Sequence, residues 1–359
     1  MELIGSCALK NRTHIQNGAY LFEYCQPFSS ININNIFDTS GCFSMAGMFK
    51  NCVNLEEIGP IDASLCMNMS SMFYNCKALI NPPKMNTNQC LEMMAMFYGC
   101  IDLETFPEYD FSNVYDVTDM FNGCRSLKEV PSHIKFPSIM HSQYMFNDCS
   151  SLTSVPVIDL TECKFAGSMF RNCSSLKSIT LKDDQKYTKS IDNMFENCSS
   201  ITTIDMGGLY PKSDCTAAFL NCTQVTTISN LNTDFVEYLG YNNSGGYGTF
   251  QNCSKLVALP QMNTSKVVNM GYMCQNCTSL TTIPEMDTSK VTYFAYTFYN
   301  CTSLTSIDWE IDMSSCTNCN NMFGNCTSLT GVKLKNVPSS LSLTNIGLSS
   351  DKYTVVNTI

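Results

Sequence analysis

Cysteine is the residue type in this sequence with the clearest capacity for chemistry, because 22 cysteines occur among 359 residues. Twelve of them recur at intervals of 24 or 25 residues, with one longer interval of 31 between Cys222 and Cys253. The stretch FYNCTSLTSI, residues 298–307, shows the usual setting. A cysteine repeated in this way can be a metal ligand, a disulfide partner, part of a glycosylation sequon or a core residue.

The residues that replace cysteine in other repeats favour the core interpretation. Ten residues before the repeated cysteine, other cysteines alternate with valine and isoleucine, as in Cys66, Cys90 and Val114. A position that accepts Cys, Val or Ile requires a buried apolar side chain, and a free cysteine behaves as a small hydrophobe. Cysteines stacked one strand apart lie within bridging distance, but side chains in parallel register point alongside each other. We therefore expect no obligatory disulfide ladder.

Metal binding and glycosylation have less support. The CTNC stretch at 316–319 has no second CxxC at zinc spacing, and His14, His133 and His141 form no ligand set. The NCS and NCT sequons arise where a turn asparagine precedes the core cysteine and a small polar residue follows it. We predict no metal, no cofactor and no glycosylation at these sequons.

The residues after each cysteine predict a strand. Leu, Ile or Val stands three residues on and usually Ile or Val six residues on, and LKSITL and ITTIDM give the pattern LxxLxL. Before the cysteine the spacing is helical, since Val291, Phe294 and Phe298 fall on one face. DTS at 287–289 is typical of a helix N-cap, and the Asn, Gly or Asp before the cysteine tolerates a left-handed helix stop.

These elements predict an α/β solenoid, a right-handed leucine-rich-repeat superhelix of about 13 repeats. Short parallel strands would lie on one face and short helices on the other. We expect an N-terminal cap at 1–24, a solenoid at 25–336 with an insertion at 237–249, and a C-terminal cap at 337–359. The cap is expected to contain a helix in LSSDKYTVVNTI, residues 348–359.

The repeat resembles the BspA-like class of leucine-rich repeats, because MFxNCxSL and DTSKV recur together over about residues 20–336. This class occurs in bacterial surface proteins and in phage-encoded proteins. The resemblance implies adhesion or protein binding and carries over no catalytic residue. A lipobox, signal peptide or cell-wall anchor, as in the cell-surface members, is not recognised in the sequence.

Composition argues against several classes of function. The net charge of −10 and the pI near 4.8 disfavour nucleic-acid binding, because no basic patch is available to neutralise phosphates. No apolar run approaches the ~20 residues that a membrane helix requires, so we expect no membrane insertion. No Ser/His/Asp set, Cys/His set, carboxylate pair or phosphate loop stands out from the repeat. We therefore predict that the chain is not an enzyme.

Two regions are candidates for binding. The insertion contains EYLGYNNSGGYGTF at 237–250, whose tyrosines among Gly, Ser and Asn are typical of binding loops. The exposed strand face is the second region, although a solvated sheet face would have the same composition. The candidate contact residues are Tyr238, Tyr241, Asn242, Asn243 and Tyr247 of the insertion, and Glu57, Glu129, Thr203, Asp205, Thr282 and Asp308 of the strand face.

The expected partner is a protein or a surface glycan, with contacts to other virion proteins or to a second copy through the caps as further possibilities. Two functions follow from these expectations. The first is a structural virion component, such as a phage fibre or capsid-decorating protein, that presents a recognition surface to the host. The alternative is a secreted or cell-surface BspA-like adhesin that binds host or matrix proteins.

Overall fold

Repeated turns of the chain, here called coils, stack on one another in parallel. The computed structural model describes residues 13–132, 134–184, 189–241 and 246–357. The chain divides into two compact units, Met1–Leu176 and Lys177–Ile359. Each unit is a parallel β-solenoid, as the repeat predicted.

The strands are short, and most coils contribute an isolated bridge instead of a longer ladder. The described strands and 3-10 helices are β1 (Thr13–His14), β2 (Ser30–Ile31), η1 (Ile33–Asn35), β3 (Phe37–Asp38), β4 (Glu57–Ile58), β5 (Ile158–Asp159), β6 (Ser178–Lys182), β7 (Thr203–Asp205), β8 (Thr227–Ser229), β9 (Glu310–Asp312), β10 (Val332–Lys335), η2 (Ser350–Lys352) and β11 (Tyr353–Val355).

Strand pairing in the second unit follows the repeat register. Ile179 of β6 pairs with Ile204 of β7, which pairs with Ile228 of β8, and all three side chains are buried. Thr203 and Thr227 alternate with them and are exposed. This alternation is that of a sheet with one face on the core and one in water. β9, β10 and β11 also pair in parallel.

The predicted helices before the repeated cysteines are wrong, because no α-helix occurs in the described parts of the chain. Alternate amides there pair with the following coil: Met45 donates to Asn68 O and Phe49 to Met72 O, both at 2.9 Å. The intervening amide of Met48 donates to Met45 O, three residues back. Consecutive turns, hydrogen-bonded from coil to coil, therefore replace the helix.

Left-handed residues explain why these segments cannot be helical. Except in the repeat that contains the insertion, each turn segment has one residue at positive φ five positions before the cysteine and another directly before it, as in Ser71 and Asn75, both at φ 56°. Such residues interrupt an α-helix and rotate carbonyls towards the neighbouring coil. Counted back from the repeated cysteine, the inward-facing positions at ten, seven, three and zero residues are the same for a helix and for these turns. The apolar spacing therefore imitated a helix.

The DTS motif has a related role without a helix. The Asp287 carboxylate accepts a hydrogen bond from the Ser289 amide at 3.0 Å, and Asp110 accepts one from the Ser112 amide at 2.8 Å. This is an Asx turn, which has the same first contact as a helix cap. The following Thr288 hydroxyl donates to the Asp312 carbonyl of the next coil at 3.0 Å. The predicted N-cap is thus a turn that joins two coils.

The core consists of columns of identical side chains. Phenylalanines three residues before the cysteine stack with near-parallel rings, for example Phe49 on Phe73 at 5.6 Å and Phe73 on Phe97 at 5.4 Å between centroids. Methionines and cysteines fill the neighbouring columns and are buried. Offset-stacked aromatic pairs add to the free energy of apolar burial. The columns hold successive coils at a fixed register.

The C-terminal segment extends the solenoid instead of covering it with a helix. Asn345 O and Ile346 O of this segment accept hydrogen bonds from the amides of Asn321 and Phe323 in the preceding coil, and β11 pairs in parallel with β10. The predicted C-terminal helix is therefore wrong, and only the short η2 precedes β11. Of the expected N-terminal cap, Gly18, Tyr20 and Phe22 already donate to the next coil. Residues 1–12 lie outside the described part of the chain.

Candidate functional site

The described ends of the insertion pair as the base of a hairpin, and its position follows from the pairing between coils. Tyr238 bridges Asp214 and Asn269, which stand eight residues before their cysteines, so Gly240 occupies the column six residues before the cysteine and Gly248 occupies the next column. The additional residues are therefore 241–247, which form what is here called the hairpin. Gly240 and Gly248 form an antiparallel bridge, and the Tyr241 amide donates to Tyr247 O at 2.8 Å. The predicted contact residues Asn242 and Asn243 lie outside the described residues.

Glycines hold the base of the hairpin against the next coil. A Cβ on Gly240 would lie 1.7 Å from Gly271 O, and one on Gly248 would lie 2.0 Å from Tyr272 O. Both obstructing atoms belong to the backbone, so no side-chain rotation can make room. Glycine at these positions lets one backbone approach another closely. The hairpin is thereby fixed in place at its base.

Tyrosines of the following coils continue the surface that the hairpin begins. The backbone of Gly246 lies on the Tyr272 ring, since a Cβ on Gly246 would meet Tyr272 Cζ at 2.5 Å. Tyr272 stacks on Tyr296 at 5.1 Å between centroids, and Tyr296 contacts Tyr299 at 5.4 Å. We call this the tyrosine surface, which comprises Tyr241, Tyr247, Tyr272, Tyr293, Tyr296 and Tyr299.

Exposure differs within the tyrosine surface. The residues of the hairpin, Tyr241 and Tyr247, are 42% and 45% exposed, whereas Tyr272, Tyr293 and Tyr296 are half-buried. Burial and the neighbouring Tyr272 raise the pKa of Tyr293 above its ordinary value. Rings that are partly buried and stacked lose little further entropy on binding. The surface therefore combines supported rings with two exposed ones.

Tyr238 has a different position from the other predicted tyrosines. Its backbone forms parallel bridges with Asp214 and Asn269, so it continues the coil-to-coil ladder before the hairpin begins. Its side chain is half-buried. Sequence reasoning missed Tyr272, Tyr293, Tyr296 and Tyr299, because they occupy ordinary repeat columns. The signal that was available is the concentration of tyrosine at 293–299, directly after the insertion.

The predicted strand-face residues are dispersed instead of clustered. Glu57 and Glu129 belong to the first unit, and Thr203, Asp205, Thr282 and Asp308 belong to the second. Five of the six are exposed, and Asp205 is half-buried. The Asp205 carboxylate accepts hydrogen bonds from the Gly207 amide at 3.0 Å and the Asn230 side chain at 2.7 Å. Asp205 therefore stabilises the turn after β7.

Asp308 lines an open cavity of about 460 Å³ near the C-terminal coils. The charged residues that share this lining are Lys333, Asp351 and Lys352. Hydrogen bonds from Ser349 and its own amide lower the pKa of Asp351. Two carboxylates and two ammonium groups leave the cavity near neutrality. A strong preference for an ionic ligand does not follow from this arrangement.

The repeated cysteines are structural. Their thiols donate to carbonyls of the preceding coil, as Cys100 does to Phe73 O at 3.0 Å and Cys277 to Phe250 O at 3.0 Å. Burial raises the pKa of Cys52 to about 12, and it does the same for Cys66 and Cys90, which stand ten residues before repeated cysteines. The thiolate is the nucleophile and the metal ligand, so a raised pKa suppresses both reactions.

Disulfides and metal clusters are not formed by the described cysteines. All 21 of them are free thiols, and no group of three or more His, Cys, Asp or Glu within the described ranges could hold a metal ion. Cys316 and Cys319, of the CTNC stretch, are both buried in the last full repeat. A hydrogen bond between the two thiols lowers the pKa of Cys319 and raises that of Cys316.

The asparagine before each cysteine also has a second role that the sequence did not reveal. As predicted, the position is left-handed, at φ 64° for Asn252 and 63° for Asn276. In addition, the Asn276 side chain donates to Asn252 Oδ1 at 2.7 Å, and Asn252 donates to Asn221 Oδ1 at 2.6 Å. Hydrogen bonds between identical amides thus run from coil to coil.

Sequence comparison decides the family. Residues 8–106, 92–206 and 213–337 match the family described as "Mycoplasma protein of unknown function, DUF285". The chain belongs to the DUF285 family. Together with the solenoid fold, this match confirms the leucine-rich-repeat class of the BspA type that the repeat predicted. A search of curated proteins finds no similar sequence.

Solved structures similar to this DUF285 chain include leucine-rich-repeat proteins. A leucine-rich repeat protein from Bacteroides ovatus is 18% identical, with a TM-score of 0.48, 96% of this chain covered and 88% of that one. A leucine rich cell surface protein from Faecalibacterium prausnitzii is 19% identical, with a TM-score of 0.37 and coverage of 84% and 83%. The Toll–Spatzle complex of Drosophila gives 13% identity, a TM-score of 0.30 and coverage of 86% and 43%.

Over the residues with described structure, this DUF285 chain has no helix that is long and apolar enough to cross a bilayer.

Proposed function

We propose that this DUF285 protein is a non-enzymatic binding module whose tyrosine surface contacts a partner protein. The observation that carries the proposal is the hairpin, which fixes the exposed Tyr241 and Tyr247 beside the stacked Tyr272 and Tyr296. The seven-residue interruption of a regular repeat is anchored at its described base by two sterically required glycines, Gly240 and Gly248.

Tyrosine suits this role for physical reasons. Its ring buries a large area and its hydroxyl group keeps one polar contact, while only two side-chain torsions lose freedom on binding. Tyr is among the residues enriched at the energetic centre of protein interfaces. The tyrosine surface contains six such residues, of which two are already exposed. A protein partner is therefore the ligand class that the surface supports best.

The finer proposal is a virion component, such as a fibre or capsid-decorating protein, that presents this surface to the host. The alternative is a secreted or cell-surface adhesin. Only 14% of residues are charged, and Ser, Thr and Asn provide much of the remaining polarity, which suits a surface exposed outside a cell in either role. The strand-face residues Glu57, Glu129, Thr203, Thr282 and Asp308 are proposed as weaker, peripheral contacts.

Photocrosslinking tests the proposed contact directly. A photoreactive phenylalanine analogue replaces Tyr247, and the labelled chain is irradiated on intact cells that the wild-type chain binds. The matched control places the analogue at Tyr98, which stacks on Tyr74 in the first unit. We expect a protein joined through position 247 and not through position 98. Equal crosslinking at both positions, or none at 247 despite binding, would contradict the proposal.

Immunogold labelling separates the two finer roles. Antibodies against the purified chain are applied to phage particles from the producing culture and to intact bacterial cells. Labelling of particles supports the virion role, and labelling of cells without particles supports the adhesin. Neither result alters the proposed role of the tyrosine surface, because that role depends on the hairpin and not on whether a phage particle or a cell displays the chain.

A further inference from the structure

A groove crosses successive coils of the second unit beside the ends of β7 and β8. It consists of two open cavities, of about 780 Å³ and 420 Å³, which share Gln261 in their linings. The lining comes from successive coils, beginning at Gly207 and ending at Lys335. Neighbouring coils are ~4.8 Å apart, so the groove suits a linear ligand that lies across the strands.

Two glycines form the part of the groove that lacks side chains. Gly207 and Gly208 lie at positive φ, 61° and 77°, in a turn where Gly208 occupies the position of the Asp of the DTS motif and Gly207 directly precedes it. A Cβ on Gly207 would lie 2.2 Å from Leu181 O, so a side chain there would displace the backbone. Glycine is therefore required by the packing, and its lack of a side chain opens the groove.

Amide groups along the groove have hydrogen-bonding capacity to spare. Asn232 uses its Oδ1 to accept from the Asp234 amide at 2.9 Å, which leaves its NH2 group without a partner in the described structure. Gln261 is exposed, and its side chain makes no hydrogen bond with the described residues. A side-chain amide presents a donor and an acceptor together, which is the complement of a peptide group.

The Asp234 carboxylate is held rigidly within the groove. Tyr210 donates to it at 3.0 Å and the Asn263 side chain at 2.8 Å. These hydrogen bonds lower the pKa of Asp234, so it is charged at neutral pH. The ring of Tyr210 also contacts Phe235 edge to face at 5.4 Å, and Phe235 is 42% exposed. An apolar ring therefore stands beside the polar lining.

The charge of the groove selects among linear ligands. Glu285 and Glu310 are exposed in the second cavity, and neither has an ion-pair partner among the residues described. Lys335 is the cation of this lining, and its Nζ lies 3.9 Å from Asp312. The lining as a whole has an excess of carboxylates, which repels polyanions and attracts positive charge.

We propose that this groove binds an extended, basic polypeptide segment of a partner. The main chain of the segment lies along the amides of Asn232 and Gln261, and its Lys or Arg side chains pair with Glu285 and Glu310. The groove goes beyond the tyrosine surface proposed above, because it is a separate surface formed by different turns. A partner that uses both would bind more tightly through effective concentration.

A repeat peptide of Lys-Ser-Ala, labelled with fluorescein, is the probe, and its Glu-Ser-Ala counterpart controls for charge. Binding to the full chain is measured by fluorescence anisotropy. The groove variants are Gln261→Ala and the double variant Glu285→Gln with Glu310→Gln. The matched control is Glu56→Gln with Asp102→Asn, which removes two exposed carboxylates from the first unit.

We expect the basic peptide to bind and the acidic one not to bind. The groove double variant should weaken binding about tenfold, and Gln261→Ala should weaken it by a smaller factor. The control variant should bind like wild type, as should Tyr241→Ser with Tyr247→Ser. Equal losses in the groove and control variants would overturn the proposal in favour of general attraction to an acidic chain. Binding of maltoheptaose, lost in Gln261→Ala, with no binding of the basic peptide would also overturn it.

Discussion

The Cys100 thiol donates a hydrogen bond to the Phe73 carbonyl oxygen, 3.0 Å away in the preceding coil. The same contact recurs between Cys124 and Phe97 and between Cys149 and Phe121, each at 3.1 Å. Each of these carbonyls also accepts an amide hydrogen bond, as Phe73 O does from the Cys76 amide at 3.0 Å, so the thiol occupies the second acceptor site of the oxygen. The repeated cysteine therefore fills the core and also satisfies the backbone, and it joins each coil to its predecessor.

Cys100→Ala is expected to destabilise the first unit. The substitution removes the sulfur atom from a fully buried site and leaves the Phe73 carbonyl without this donor. We expect a loss of about 2 kcal/mol in the free energy of unfolding, measured by urea denaturation. Cys25→Ala is the matched control, because Cys25 is only partly buried. Equal losses in the two variants would show that the buried hydrogen bond adds nothing.

Alkaline pH is expected to unfold the protein steeply. Burial raises the pKa of Cys52, Cys66, Cys90 and Cys326 to about 12, whereas an unfolded cysteine ionises near pH 8.5. Because the folded pKa is raised, this stabilisation is complete below about pH 8.5 and is lost as pH rises towards 12. Between these two pKa values each thiol lowers the free energy of unfolding by about 1.4 kcal/mol per pH unit, so the four together lower it by about 5.5 kcal/mol per pH unit.

Circular dichroism against pH, with a reducing agent present, measures this loss. Cys66→Val with Cys90→Val removes two of the four thiols while keeping apolar side chains that the same column accepts elsewhere, as at Val114. We expect the variant to unfold at a higher pH than wild type. An unchanged midpoint would mean that other groups control alkaline unfolding.

Substitution of the hairpin glycines is expected to displace the hairpin. A Cβ on Gly240 or Gly248 would collide with the backbone of Gly271 or Tyr272, so Gly240→Ala and Gly248→Ala should each cost about 2 kcal/mol. Gly331→Ala is the control, because its Cβ would meet Lys352 O at 3.5 Å, an ordinary contact. Thermal unfolding measures the stability, and proteolysis measures exposure of 241–247. Equal stability of Gly331→Ala and Gly240→Ala would refute the steric argument.

The asparagine ladder can be separated from its backbone requirement. Asn276→Gly keeps the left-handed conformation but removes both ladder hydrogen bonds, whereas Asn276→Ala also carries the left-handed strain. We expect a cost of about 1 kcal/mol for glycine and about 1 kcal/mol more for alanine. Chemical denaturation of the two variants measures both costs, that of the lost hydrogen bonds and that of the left-handed strain. The native Gly99 and Gly123 show that the column accepts glycine.

Much of the fold could be predicted from the sequence, because one repeat fixes which residues face the core. The cysteine, leucine and phenylalanine columns and the left-handed Asn75 are as predicted. The helices are not, because tandem turns place apolar residues at the same spacing as a helix. The second left-handed position was hidden, since Ser71, Tyr144 and Ala217 do not favour that conformation. Hydrogen bonds between coils hold those residues in the left-handed conformation.

The candidate site could be predicted only where the repeat is broken. The longer interval before Cys253 located the insertion, but the alignment of columns could not choose among positions from Val236 to Phe250. The close approach of Gly240 to Gly271 depends on tertiary packing and places the additional residues at 241–247. The groove was not predicted, because its amides belong to turns that otherwise match the repeat.

The central claim is that the tyrosine surface is the binding site. The affinity of the chain for cells that carry its partner tests this claim most directly. Flow cytometry with the labelled chain compares wild type, Tyr241→Ser with Tyr247→Ser, and the control Tyr74→Ser with Tyr98→Ser in the first unit. Buried interface tyrosines contribute ~2 kcal/mol or more each, so the hairpin variant should bind at least about tenfold more weakly. The control should bind like wild type. If the hairpin variant keeps wild-type affinity while remaining folded, the tyrosine surface is not the binding site.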